Sequence, residues 1–133
     1  MDKSTLLKGF NNLFFEFLDD VLTVYPDNKE IKYAKNSFNL MRKANPIILI
    51  RAWYNRVYTP YKDQIDAGDI TFFFEKDYNT DLNKVQGSEE IMKMIDKIRQ
   101  PLKDMGEENL KHSSMYIQKL SKISFLYKDF LPR

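Results

Sequence analysis

The sequence predicts an all-α, single-domain bundle of about five or six helices, with short helices in the middle of the chain. Three observations carry that expectation. Apolar residues recur at three- and four-residue steps along nearly the whole chain, which is the spacing of a helix face. Asp, Asn, Ser and Thr stand where those series begin, and Pro or Gly stands where they end. Strand composition occurs in one run only, Ile70-Thr71-Phe72-Phe73-Phe74, and no second run of that kind exists to pair with it. At 133 residues, with 43% hydrophobic and 30% charged content, four glycines and five prolines, the chain can bury one core and is not of disordered composition.

The first helix is expected from Leu6 to Tyr25, with Leu6, Phe10, Leu13, Phe14, Phe17, Val21 and Tyr25 as its inward stripe. Pro26 ends it, because proline lacks an amide hydrogen and disfavours the helical region for the residue before it. Asp27 with Glu30 resembles a capping box for a second helix, whose inward residues are Ile31, Ala34, Phe38 and Met41. Asn45-Pro46 opens a third through Ile47, Leu49, Ile50, Trp53 and Val57, expected to be the most buried because it carries the only tryptophan. Thr59-Pro60 repeats the start signal for a short helix from Tyr61 to Ala67, closed by Gly68. Asp69 then suits the cap of another short helix holding Ile70, Phe73 and Phe74; a strand is the alternative. Asn79 to Gly87 is polar and reads as a connection. Ser88 restarts a helix through Ile91, Met94, Ile95, Ile98, Leu102 and Met105, kinked at Pro101. Gly106 ends it, and a last helix runs from about Glu107 to Phe130 with Leu110, Ile117, Leu120, Ile123, Phe125 and Tyr127 inward.

The absence of cysteine excludes a disulfide framework, thiolate zinc sites and thiol catalysis, and makes a reducing, intracellular setting the expectation. No segment approaches the ~20 apolar residues of a membrane helix, so no membrane association is expected. Lysine and arginine number 21 against 19 acidic residues, a net charge of +2 that does not by itself call for a nucleic-acid partner.

Chemistry-bearing motifs are few. His112 is the only histidine and reads as a solvated helix-surface residue. Asp63, Asp66 and Asp69, with Glu75 and Asp77 after them, could gather a hard cation, but their spacing matches no calcium loop and a solvated face explains them more simply. Ser113, Ser114, Ser121 and Ser124 lack a glycine-flanked nucleophile elbow and read as helix-face residues or packing spacers. No glycine loop cradles a phosphate, and no catalytic residue, metal ligand, cofactor or small-molecule substrate is expected. Lys32, Lys35, Arg42 and Lys43 lie on one side of the second helix and form the candidate nucleic-acid-binding face, with Lys111, Lys119 and Lys122 as a second group. Trp53, Val57 and Tyr61 share one helical line and read as core. Tyr54 and Tyr58 lie off that line and are the candidate partner-binding residues. The expected role is a non-enzymatic interaction or structural protein with a protein partner or self-association. A nucleic-acid-associated protein is the alternative, and a metal-dependent hydrolase the second.

The segment Lys43-Ala-Asn-Pro-Ile-Ile-Leu-Ile-Arg-Ala-Trp53, with Val57-Tyr-Thr-Pro-Tyr61, Gly68-Asp-Ile70 and the aromatic run to Tyr78, resembles short uncharacterised proteins encoded by large nucleocytoplasmic DNA viruses of algae and protists. An abundance of Lys, Asn, Ile and Phe also suits an AT-rich coding genome. The resemblance implies a virus-encoded protein, such as a minor virion component, located in the host cytoplasm or nucleus or in the virion. It carries over no catalytic residue.

Overall fold

Prolines, caps and two left-handed glycines divide the chain into helices in the computed structural model, which describes residues 2–71 and 88–132. Helix α1 spans Lys3–Val24, with the Asp2 side chain accepting from the Thr5 amide at 2.7 Å. It buries Leu6, Phe10, Asn11, Phe14, Phe17, Leu18 and Val21; of the expected stripe, Leu13 and Tyr25 are only half-buried. Helix α2 spans Lys29–Ala44 and turns Ile31, Ala34 and Phe38 inward. Its cap is Asn28 rather than Asp27: the Asn28 side chain accepts from the Ile31 amide at 3.0 Å, one residue further along than the Glu30 amide that the expected capping box would have engaged.

Helix α3 (Ile48–Ala52), a π-helical segment (Trp53–Tyr58) and helix α4 (Thr59–Asp66) follow without interruption. Helix α4 begins at the expected Thr59-Pro60 with proline in its first turn, but it follows the π segment with no gap and no side-chain cap. Proline in mid-helix removes one amide donor and its ring collides with the carbonyl four residues back. The widened turn accommodates both: Thr59 gives its amide and its hydroxyl (2.7 Å) to the Tyr54 carbonyl. One residue further on, Tyr61 leaves helical geometry at φ −124° and ψ 25°. At the end of α4, Gly68 takes φ +80°, the Gly68 amide bonds the Ile65 carbonyl and the Asp69 amide bonds that of Gln64. This double closure is a Schellman motif, and its left-handed position is where glycine avoids a Cβ clash.

The Asp69 side chain accepts from the amide and hydroxyl of Thr71, tightening a local turn. The expected helix or strand from Ile70 to Phe74, the Asn79–Gly87 connection, and Glu75 and Asp77 lie outside the described residues from Phe72 onward. Helix α5 (Ser88–Asp104) runs through Pro101, Gly106 at φ +92° separates it from helix α6 (Glu107–Tyr127), and a 3-10 turn (Lys128–Phe130) follows. The described residues contain no strand.

The helices form a bundle in which α1 packs chiefly on α6, α2 on α5, and the π segment on α6. Trp53 stands where these meet. Its ring lies 6.2 Å from Phe10 and 6.3 Å from Phe14, both edge-on, and Phe14 meets Phe38 of α2 edge-on at 5.0 Å. The indole Nε1 donates to Ser121 Oγ at 2.9 Å inside the core. Ser113, Ser121 and Ser124 are buried, as expected of spacers; Ser124 donates to the Ser121 carbonyl at 2.7 Å. Two longer ties hold the ends: Tyr25 Oη donates to the Pro101 carbonyl at 2.7 Å, and Asn11 Nδ2 to that of Pro46 at 3.1 Å.

Ser121→Ala leaves the buried indole donor without its acceptor and should cost about 1–3 kcal/mol in urea denaturation. In Trp53→Phe/Ser121→Ala the bond has no donor to strand, so the double variant should lose clearly less than the two single losses together. Strict additivity would show that the bond contributes nothing.

Candidate functional site

The π segment determines which tyrosine faces outward. A turn holding an extra residue rotates every later side chain backward relative to regular helical spacing. Tyr58 is thereby drawn inside, 7% exposed, beside Val57, while Tyr61 is only half-buried. The expectation that Tyr54 and Tyr58 together form an outer contact surface is corrected for Tyr58; Tyr54, like Tyr61, is half-buried and packs against the core. The two rings lie 6.3 Å apart, and Tyr58 meets Phe125 of α6 edge-on at 6.1 Å. Tyr58 Oη also donates to the Asp66 carboxylate at 3.3 Å. Burial, and secondarily that carboxylate, raises the Tyr58 pKa.

Phe125 was expected inward on α6, yet it is 38% exposed. The buried face of α6 is Ser113, Ile117, Leu120, Ser121, Ser124 and Tyr127, and Phe125 falls just past its edge. The ammonium groups of Lys128 and Lys62 stand 4.2 Å and 5.9 Å from its ring centre. One turn apart on the next side of the helix end, Leu126 and Phe130 are 49% and 43% exposed. The end of α6 thus carries Phe125 against Tyr58 with two lysines over its ring, and, further round, Leu126 and Phe130, the latter with its ring 5.5 Å from that of Tyr127. Sequence reasoning missed Leu126 and Phe130. The available signal was the serine row, whose small side chains mark the packed face.

The four cations of the expected nucleic-acid face are not equivalent. Lys35 pairs with Asp19 of α1, and Arg42 donates to Asn39 at 2.7 Å with its guanidinium 4.9 Å from the Phe15 ring centre. Both reach toward α1, whereas Lys32 and Lys43 stay exposed. Lys111, Lys119 and Lys122 are exposed on α6.

Among the remaining candidates, His112 is exposed and lines an open hollow with Glu107, Glu108, Lys111 and Met115. Asp66 accepts from Tyr58 and Asp69 from Thr71. Among the described residues no three His, Asp or Glu side chains are grouped to hold a metal ion. Ser114 donates to the Gly68 carbonyl at 3.2 Å. Arg56, in the π segment, keeps Nε and Nη2 buried without a hydrogen-bond partner among the described residues. No described helix is long and apolar enough to cross a membrane. No protein-family model, curated protein or solved structure matches the chain.

Behind the exposed group, Tyr127 is fully buried and its hydroxyl has no hydrogen-bond partner among the described residues. Burial raises its pKa, so the fold favours the neutral phenol. The contribution is complete below the unfolded tyrosine pKa of about 10 and declines as pH rises past it toward the higher folded value. Tyr127→Phe should therefore match or exceed the wild-type melting temperature at pH 7, and should soften the loss of stability above pH ~10. A clear destabilisation at pH 7 would reveal a hydrogen bond to that hydroxyl.

Proposed function

We propose that this chain is a non-enzymatic helical interaction protein acting through protein–protein contacts. The observation that carries the reading is the set Phe125, Leu126 and Phe130, three large apolar side chains left in water within six residues at the end of α6. Large apolar side chains grouped at one place on a folded surface mark association sites, and aromatic rings flanked by cations are typical anchors of such contacts. Tyr54 and Phe125, held by the buried Tyr58, are the residues proposed to meet the partner. The resemblance of the segment around Trp53 would make the protein a virus-encoded minor virion or assembly component. A nucleic-acid role has less support, because Lys35 and Arg42 spend their charge on contacts with α1 and within α2.

Leu126→Ser/Phe130→Ser should leave the melting temperature within a few degrees of wild type, since exposed positions carry little stability, while weakening association about tenfold or more. Mass photometry reads self-association, and cross-linking in the producing cell reads a second protein. A solitary monomer that cross-links to nothing, or association unchanged in the double variant, would overturn the reading.

A further inference from the structure

Helix α2 carries two large exposed apolar side chains, Tyr33 and Leu40, on a face beside its buried one. The core series is Ile31, Ala34 and Phe38. One step around the helix, Tyr33 and Leu40 stand seven residues apart with the small Ser37 and Ala44 at the alternating positions, a four-three-four spacing like that of the a and d positions in paired helices, and the exposed Glu30 precedes Tyr33 at the N-terminal end of the row. Tyr33 is 58% and Leu40 67% exposed, the most exposed large apolar side chains among the described residues. Lys29 and Lys43 are exposed on the outer border of this seam, in the place that flanking charges hold in coiled coils, and Asn36 is exposed between them. Over the twelve residues from Tyr33 to Ala44 the seam extends about 16 Å, three turns of helix.

We propose that this seam docks an acidic amphipathic helix of a partner protein. The proposal rests on the interaction reading above but uses a different surface from the end of α6. Charge selects the occupant. A helix with carboxylates beside its apolar stripe meets Lys29 and Lys43 with opposite sign, two cations against the single carboxylate of Glu30 at the N-terminal end of the seam. A second copy laid antiparallel on the seam would set Lys29 of one chain against Lys43 of the other, so self-pairing is opposed. Nucleic acid is the poorer fit, because the face offers it few free cations, and Leu40 has no hydrogen-bonding or charged group to offer a phosphate or base.

The test uses two labelled synthetic helices of about three heptads with leucine at a and d, one with glutamate and one with lysine at e and g, titrated by fluorescence anisotropy. The glutamate helix should bind and the lysine helix should not. Tyr33→Ser and Leu40→Ser should each weaken binding about tenfold without lowering the melting temperature, as both side chains are exposed. Lys29→Glu/Lys43→Glu should exchange the preference, and Leu126→Ser/Phe130→Ser should leave it unchanged. No binding of the glutamate helix, or equal binding of both, would overturn the seam while leaving the α6 surface to its own experiment. A single-stranded oligonucleotide that displaces the glutamate helix and loses affinity on Lys29→Glu/Lys43→Glu would make the face a nucleic-acid site. A dimer abolished by Leu40→Ser would make it a self-pairing face. Either result overturns the proposal.

Discussion

The bundle depends on keeping one indole dry with its donor satisfied. Trp53 brings the largest apolar surface in the chain, and a buried N–H without an acceptor would offset much of what that surface contributes. Ser121 supplies the acceptor, which turns α6 so that its serine-containing side faces the π segment. The rest of that helix follows from this rotation. Ser113 and Ser124 come inside with Ile117, Leu120 and Tyr127, and they let the helices approach closely. Phe125 and Leu126 are carried to the rim and beyond. Surface apolarity at the end of α6 is thus a consequence of how the core is satisfied, not an independent feature.

Pro60 supplies the second constraint. The helical stretch from Ile48 to Asp66 has to absorb a missing donor and a ring in its middle, and it does so with a widened turn before Pro60 and a kink at Tyr61 after it. The chain keeps turning through a kink at Tyr61, and Trp53 before it and Ile65 after it are both buried. The register changes, so the tyrosines do not fall where regular spacing puts them. Tyr58 moves under Phe125 and spends its hydroxyl on Asp66.

Those two constraints explain what the sequence revealed and what it concealed. Helix boundaries were legible wherever a local rule decides them: Pro26 after α1, Asn45-Pro46 before α3, Gly68 and Gly106 at left-handed turns. The stripe of α1 was legible because its inward positions are uniformly large and apolar. On α6 the inward positions include three serines, so counting apolar residues directs attention to Phe125 and away from the packed side. Regular spacing separates an inward Tyr61 from outward Tyr54 and Tyr58; the structure buries Tyr58 and leaves Tyr54 and Tyr61 half-buried alike, since the widened turn answers to Pro60 two residues later.

The basic residues show the same division between local pattern and packing. Spacing places Lys32, Lys35, Arg42 and Lys43 on one side of α2, but reach decides what each does. Asp19 and the Phe15 ring lie close enough to draw in Lys35 and Arg42. An exposed pair such as Lys35 with Asp19 adds at most about 1 kcal/mol, so its main effect is on the field: two of the four cations are spent on their neighbours. The charge left outward belongs to Lys29, Lys32 and Lys43, and it lies beside Tyr33 and Leu40 rather than alone. A cation next to an exposed ring and an exposed leucine favours a partner that can bury apolar surface and answer the charge together, which a phosphate backbone cannot do and an acidic helix can.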